Sequence, residues 1–70
     1  MNLTDVVAEF CAAHVGETIT AAGLHNYVSG KVQCSPGSES RILRELRAKG
    51  IVNYVVPNRQ KGIYTITAVH

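Results

Sequence analysis

The sequence predicts an α+β fold: three helices, then a small antiparallel β-hairpin. Three observations carry this. Apolar residues recur at helical spacing through residues 3–14. Helix start and stop signals bracket two further segments, at Thr20 to Gly30 and Ser35 to Gly50. Two β-branched, aromatic-rich runs follow, separated by six polar turn formers. The 70 residues make a single domain, 1–70. A chain of this size buries only about 60% of the surface its unfolded form exposes, leaving little core to surround a catalytic cavity.

Taken in order, Leu3, Val6, Val7, Phe10, Cys11 and His14 share one face of the first helix, with Asp5 and Glu9 opposite. Asn2 or Thr4 can cap this helix and Gly16 ends it. Glu17 to Thr20 is β-branched and short, enough for one edge strand. Thr20 also offers a capping oxygen to a second helix, Ala21 to Ser29, with Leu24 and Val28 inward and His25 at its edge. Gly30 to Cys34 reads as a turn anchored by Val32. Ser35 then supplies a capping hydroxyl, and Pro36 sits where no amide hydrogen is needed. The third helix is expected to run over 35–49 and to stop at Gly50 in a left-handed conformation. Ile51–Val56 and Ile63–Ala68 read as strands, joined by a loop over 57–62.

Charge is the strongest functional signal. Residues 31–70 hold all seven cations against two acids, Glu39 and Glu45, for a net +5. Residues 1–30 hold Asp5, Glu9 and Glu17 with no Lys or Arg, a net −3. On a helical projection Ile42, Leu43 and Leu46 cover one arc of the third helix. Gly37, Arg41, Arg44 and Ala48 lie opposite, flanked by Ser40 and Arg47. A basic helix face followed at once by a basic loop, Arg59 and Lys61, suits a polyanion. The start of that helix also favours a phosphate near Ser35–Ser38. The competing reading is a solvated face, with Glu45 pairing to Arg41 or Lys49 four residues away.

Other classes receive little support. Apolar content of 46% with 17% charged residues is that of a globular protein. No apolar run approaches the roughly 20 residues that span a bilayer. The N-terminal segment MNLTDVVAEF lacks the features of a signal peptide, so the expected compartment is the cytoplasm. Cys11 and Cys34 fit that setting as free thiols. Cys11, His14, His25 and Cys34 are metal-ligand types, but no CxxC or HxxxH spacing accompanies them, and core packing is the preferred reading of Cys11. No Gly-rich phosphate loop, HExxH or GxSxG motif occurs, so neither a catalytic residue nor a cofactor is expected.

At this point the chain resembles a winged helix-turn-helix domain over nearly its whole length. TITAAGLHNYV resembles the first short strand and second helix of that family. SPGSESRILRELRAKGIVNYVV is similar to a recognition helix with its exit, through Arg41, Leu43, Leu46, Lys49, Gly50 and Ile51, and PNRQKGIY resembles the wing. Among relatives it is similar to the C-terminal winged-helix domain of methyl-directed type II restriction endonucleases and to small phage or bacterial regulators. The resemblance implies double-stranded DNA as partner, with the third helix in the major groove and the wing on the backbone or an adjacent minor groove. Ser38, Ser40, Arg41 and Arg44 would read bases; Lys31, Ser35, Arg59 and Lys61 would hold phosphates. Arg47 lies nearer the buried arc and is a candidate for a structural role instead, and Tyr54 and Tyr64 would pack across the hairpin. A homodimer or a protein partner would supply the specificity one small module lacks. The alternative is a winged-helix protein-interaction module, or an accessory subunit of a DNA-processing or restriction complex.

Overall fold

The computed structural model describes residues 2–33, 35 and 37–70. Its elements are α1 (Leu3–Ala13), β1 (Thr18–Thr20), α2 (Ala21–Ser29), α3 (Ser38–Ala48), β2 (Val52–Asn58) and β3 (Ile63–Val69). The three strands form one antiparallel sheet in the order β1-β3-β2, so β3 is central and both partners are edges. The fold is therefore α+β, with three helices and a small antiparallel sheet among the described residues.

Local chemistry explains most element boundaries. The Asn2 side chain accepts the Asp5 amide at 2.8 Å and caps α1, and the Thr20 hydroxyl accepts the Gly23 amide at 3.0 Å and caps α2. The α1 helix ends at Ala13, ahead of Gly16, because the His14 amide has turned to the Cys11 carbonyl at 3.1 Å. After α3 the Gly50 amide bonds the Arg47 carbonyl at 3.0 Å and the Ile51 amide bonds the Leu46 carbonyl at 2.9 Å. This paired closure needs a left-handed residue, and Gly50 has φ +76°.

One core joins the layers. Val6, Val7, Phe10 and Cys11 from α1 meet Leu24 and Val28 from α2 and Ile42, Leu43 and Leu46 from α3; Ile19, Val52, Tyr54 and Ile66 close it from the sheet. Val32 packs half-buried against this core, as an anchor of the α2–α3 connection.

Several expectations need correction. The third helix starts at Ser38 rather than Ser35, and its N-cap is Gly37, with no side-chain capping bond. Gly37 has φ +87°, which an α-helix cannot contain, so the chain must turn before it winds. The Ser38 amide bonds the Ser35 carbonyl at 3.1 Å, which makes Ser35 part of that turn and not the capping residue. Pro36 and Cys34 lie outside the described residues, and with them the proline role and the second thiol.

The second strand is longer than the sequence suggests and begins one residue later, covering Val52–Asn58. Pro57 is accommodated because β2 is an edge strand, and the ladder register shifts between Val55 and Asn58. The connecting turn accordingly shrinks to residues 59–62. Asn58 closes it by accepting the Lys61 amide on Oδ1 at 3.1 Å. The strand β3 extends one residue further, to Val69, where β2 and β3 pair Val52 with Val69.

Candidate functional site

The cationic side of the molecule is organised by the two faces of α3. Its inner face buries Glu39, Ile42, Leu43 and Leu46, while Arg41, Arg44, Arg47 and Ala48 are exposed. The apolar stripe locks the helix against α1 and the start of β2. The arginines are left to project on the opposite side and toward the hairpin.

Between α3 and the hairpin lies an open cleft of about 280 Å³. Ser40, Arg44 and Arg47 line it from the helix. Tyr54, Val56, Arg59 and Tyr64 line it from the hairpin. Three guanidinium groups thus face one volume whose lining contains no carboxylate. Each guanidinium carries planar donors and no acceptor, so the cleft favours an anionic ligand with several acceptor oxygens. Its floor is aromatic: the Tyr54 and Tyr64 rings meet edge to face, with centroids 5.5 Å apart at 83°. The Arg47 guanidinium sits 5.0 Å above the Tyr54 ring, a cation–π contact that fixes its direction. Burial pushes the Tyr54 phenol above its ordinary value, while the positive charge of Arg47 pulls it partly back. That hydroxyl stays neutral at physiological pH and can donate a hydrogen bond.

Of the eight residues expected at the interface, the structure brings Ser40, Arg44 and Arg59 together in the cleft. Arg41 is exposed on the outer side of α3, and Lys61 is exposed on the turn, whose backbone is held by Asn58. Lys31 stands apart at the end of α2, its Nζ lying 5.1 Å from the Tyr27 ring centroid. Ser38 is half-buried at the start of α3 and Ser35 is exposed in the preceding turn. The first turn of α3 already carries a carboxylate, Glu39, which is 4% exposed and competes with any phosphate placed there.

Glu45 forms no ion pair with Arg41 or Lys49; among the described residues, the contact at ion-pair distance joins His25 to Glu39 at 3.3 Å. Arg47, Tyr54, Val56 and Tyr64 were not expected to face a site. Their signal in the sequence was slight: Arg47 flanks the buried arc of the helix, and alternation along β2 puts Tyr54 and Val56 on one face.

Among the described residues no group of three or more His, Cys, Asp or Glu side chains could hold an ion. Cys11 is fully buried and His14 Nδ1 is bonded to the Phe10 carbonyl at 2.8 Å. Among the described residues no helix is long and apolar enough to cross a membrane. No family model matches this chain, and no curated protein or solved structure matches it either.

Proposed function

We propose that this chain is a winged helix-turn-helix protein that binds double-stranded DNA, acting as a small phage or bacterial transcriptional regulator by binding rather than by catalysis. In this reading α2 and α3 form the helix-turn-helix, α3 lies in the major groove, and the turn 59–62 is the wing against the backbone or an adjacent minor groove. The observation that carries it is the convergence of Arg44, Arg47 and Arg59 on one cleft between helix and hairpin, with Arg41 exposed on α3 and Lys61 exposed on the turn. A row of cations without carboxylate partners is costly in self-repulsion and is relieved by a polyanion.

Arg41 and Arg44 carry the base-reading role, since a guanidinium can bond guanine O6 and N7 together. The test is fluorescence anisotropy of a labelled duplex titrated from 50 to 200 mM salt, an interval across which six to ten phosphate contacts lower affinity by about 10³–10⁵-fold. Arg44→Ala should weaken binding to a preferred site by about 1–3 kcal/mol. Affinity independent of salt would sink the reading.

One observation favours a second reading. Val55 on the edge strand β2 and Ile51 just before it are exposed apolar residues, where a protein partner could dock. A protein-interaction module of this kind would show little salt dependence on DNA.

A further inference from the structure

The cleft is shaped for more than a passing phosphate. A phosphate site alone needs charge and donors, and a row of surface arginines would suffice. Here the guanidinium groups of Arg44, Arg47 and Arg59 rim a concavity whose walls include the half-buried Tyr64 and Val56. Ligand clefts for drug-sized molecules run from about 300 to 1,000 Å³, so at about 280 Å³ this one falls just below that range, with space for no more than one nucleotide unit. From these features we infer that the cleft binds a single nucleotide unit, its phosphate on the arginines and its base against the Tyr64–Val56 wall.

The chemistry matches in two independent ways. The phosphate oxygens accept in-plane donors from guanidinium groups, and the lining offers no carboxylate to repel them. The base presents a π-face, which stacks on aromatic or guanidinium planes regardless of sequence. Ser40 lies on the α3 side of the cleft, where its hydroxyl can donate to or accept from a base edge. A duplex with every base stacked can give the cleft only the phosphate. An unpaired or extruded nucleotide, or a free mononucleotide, gives it both parts. This deepens the DNA-binding reading and rests on it only for the strand-borne source of the nucleotide.

The experiment uses the full chain and four probes: deoxyadenosine 5′-monophosphate, deoxyadenosine, inorganic phosphate, and a pair of duplexes that differ by one unpaired adenine. Binding is read from ring-proton shifts of Tyr54 and Tyr64. The mononucleotide should bind at least tenfold more tightly than phosphate or the nucleoside, and should shift the Tyr64 ring. Tyr64→Leu should remove most of that advantage and leave phosphate binding unchanged, whereas Arg59→Gln should weaken both. The unpaired adenine should tighten duplex binding roughly fivefold to a hundredfold, the range of base–aromatic stacking.

A mononucleotide that binds while the unpaired base adds nothing supports the cleft chemistry with a free nucleotide as the source. Phosphate binding as tight as the nucleotide, or no shift at Tyr64, overturns the inference. In that event salt-dependent binding of the fully paired duplex still stands or falls separately, so failure of the nucleotide site and failure of the DNA-binding reading are distinguishable.

Discussion

The imidazole Nδ1 of His25 lies 3.3 Å from Oε1 of Glu39 and ties α2 to the first turn of α3. Glu39 is buried, and its second oxygen, Oε2, has no hydrogen-bond partner among the described residues. The approach of His25 falls outside hydrogen-bond geometry. A buried carboxylate with a single neighbour of this kind is kept at a cost in desolvation. Its position at the start of α3 lets the helix dipole offset part of that cost.

The contact makes a double-mutant cycle informative. His25→Phe should destabilise the fold by about 1–3 kcal/mol, because it leaves Glu39 buried without its neighbour. Replacing both residues by apolar ones of similar volume, His25→Phe with Glu39→Met, should recover most of the loss. Urea denaturation measures both. A double variant as unstable as the sum of the single ones would show that the two residues act independently.

That pair also marks what a sequence conceals. The caps Asn2 and Thr20, the stop at Gly50 and the Tyr54–Tyr64 contact are legible because each depends on neighbours along one element or across one hairpin. The start of α3 was not, because Ser35–Pro36 offers a helix-start signal of its own and only the fold decides whether the helix begins there or after a left-handed turn at the glycine; here the turn is at Gly37. Burial of Glu39 depends on how α2 packs against α3, which periodicity does not contain. The candidate site was half legible. Ser40, Arg44 and Arg59 follow from charge and helical projection, whereas Arg47, Tyr54 and Tyr64 become lining residues only once the hairpin folds beside α3.

A second prediction concerns the buried thiol. Burial raises the Cys11 pKa from an ordinary 9.0 to about 11. The folded state therefore holds the proton more tightly than the unfolded chain does. Its contribution is complete below pH 9 and is lost as the pH rises through 11. Between pH 8 and 10.5 the parent should lose about 2 kcal/mol relative to Cys11→Val, which fills a similar volume and does not titrate. Urea denaturation of the two proteins at both pH values gives the difference directly, and a gap that does not change with pH would refute it.

A third concerns the docking of the hairpin tip. Gly62 has φ +63°, its carbonyl accepts the Ala21 amide at 2.7 Å, and a Cβ built on it would stand 2.9 Å from the Ala21 Cβ. Gly50 also has positive φ, but a Cβ there meets nothing within 4 Å. Gly50→Ala should therefore cost only the left-handed backbone penalty, about 1–2 kcal/mol. Gly62→Ala should cost more, since it must also push the tip off α2. Equal losses in thermal or urea unfolding would mean that the tip is free to shift.

The last prediction concerns that tip as a partner surface. Arg59 lines the cleft and Lys61 is exposed one residue before Gly62, on a turn pinned at Asn58 and at Ala21. Held at both ends, the turn keeps the two cations in place beside α2, and under the proposed DNA-binding reading they would meet backbone phosphates. Contacts of this type position a protein without reading sequence. Removing both in the double variant Arg59→Ala, Lys61→Ala should weaken matched and random duplexes alike. Each lost phosphate contact should make the slope of log affinity against log salt shallower by about 0.9. The two charges differ in surroundings, so the single variants separate them. Arg59→Ala should alter the Tyr64 ring signals as well as the slope, and Lys61→Ala should alter the slope alone. Unchanged affinity and slope in the double variant would show that the tip points away from nucleic acid, leaving α3 as the contact. A loss confined to one sequence would instead make Arg59 a reader of the groove.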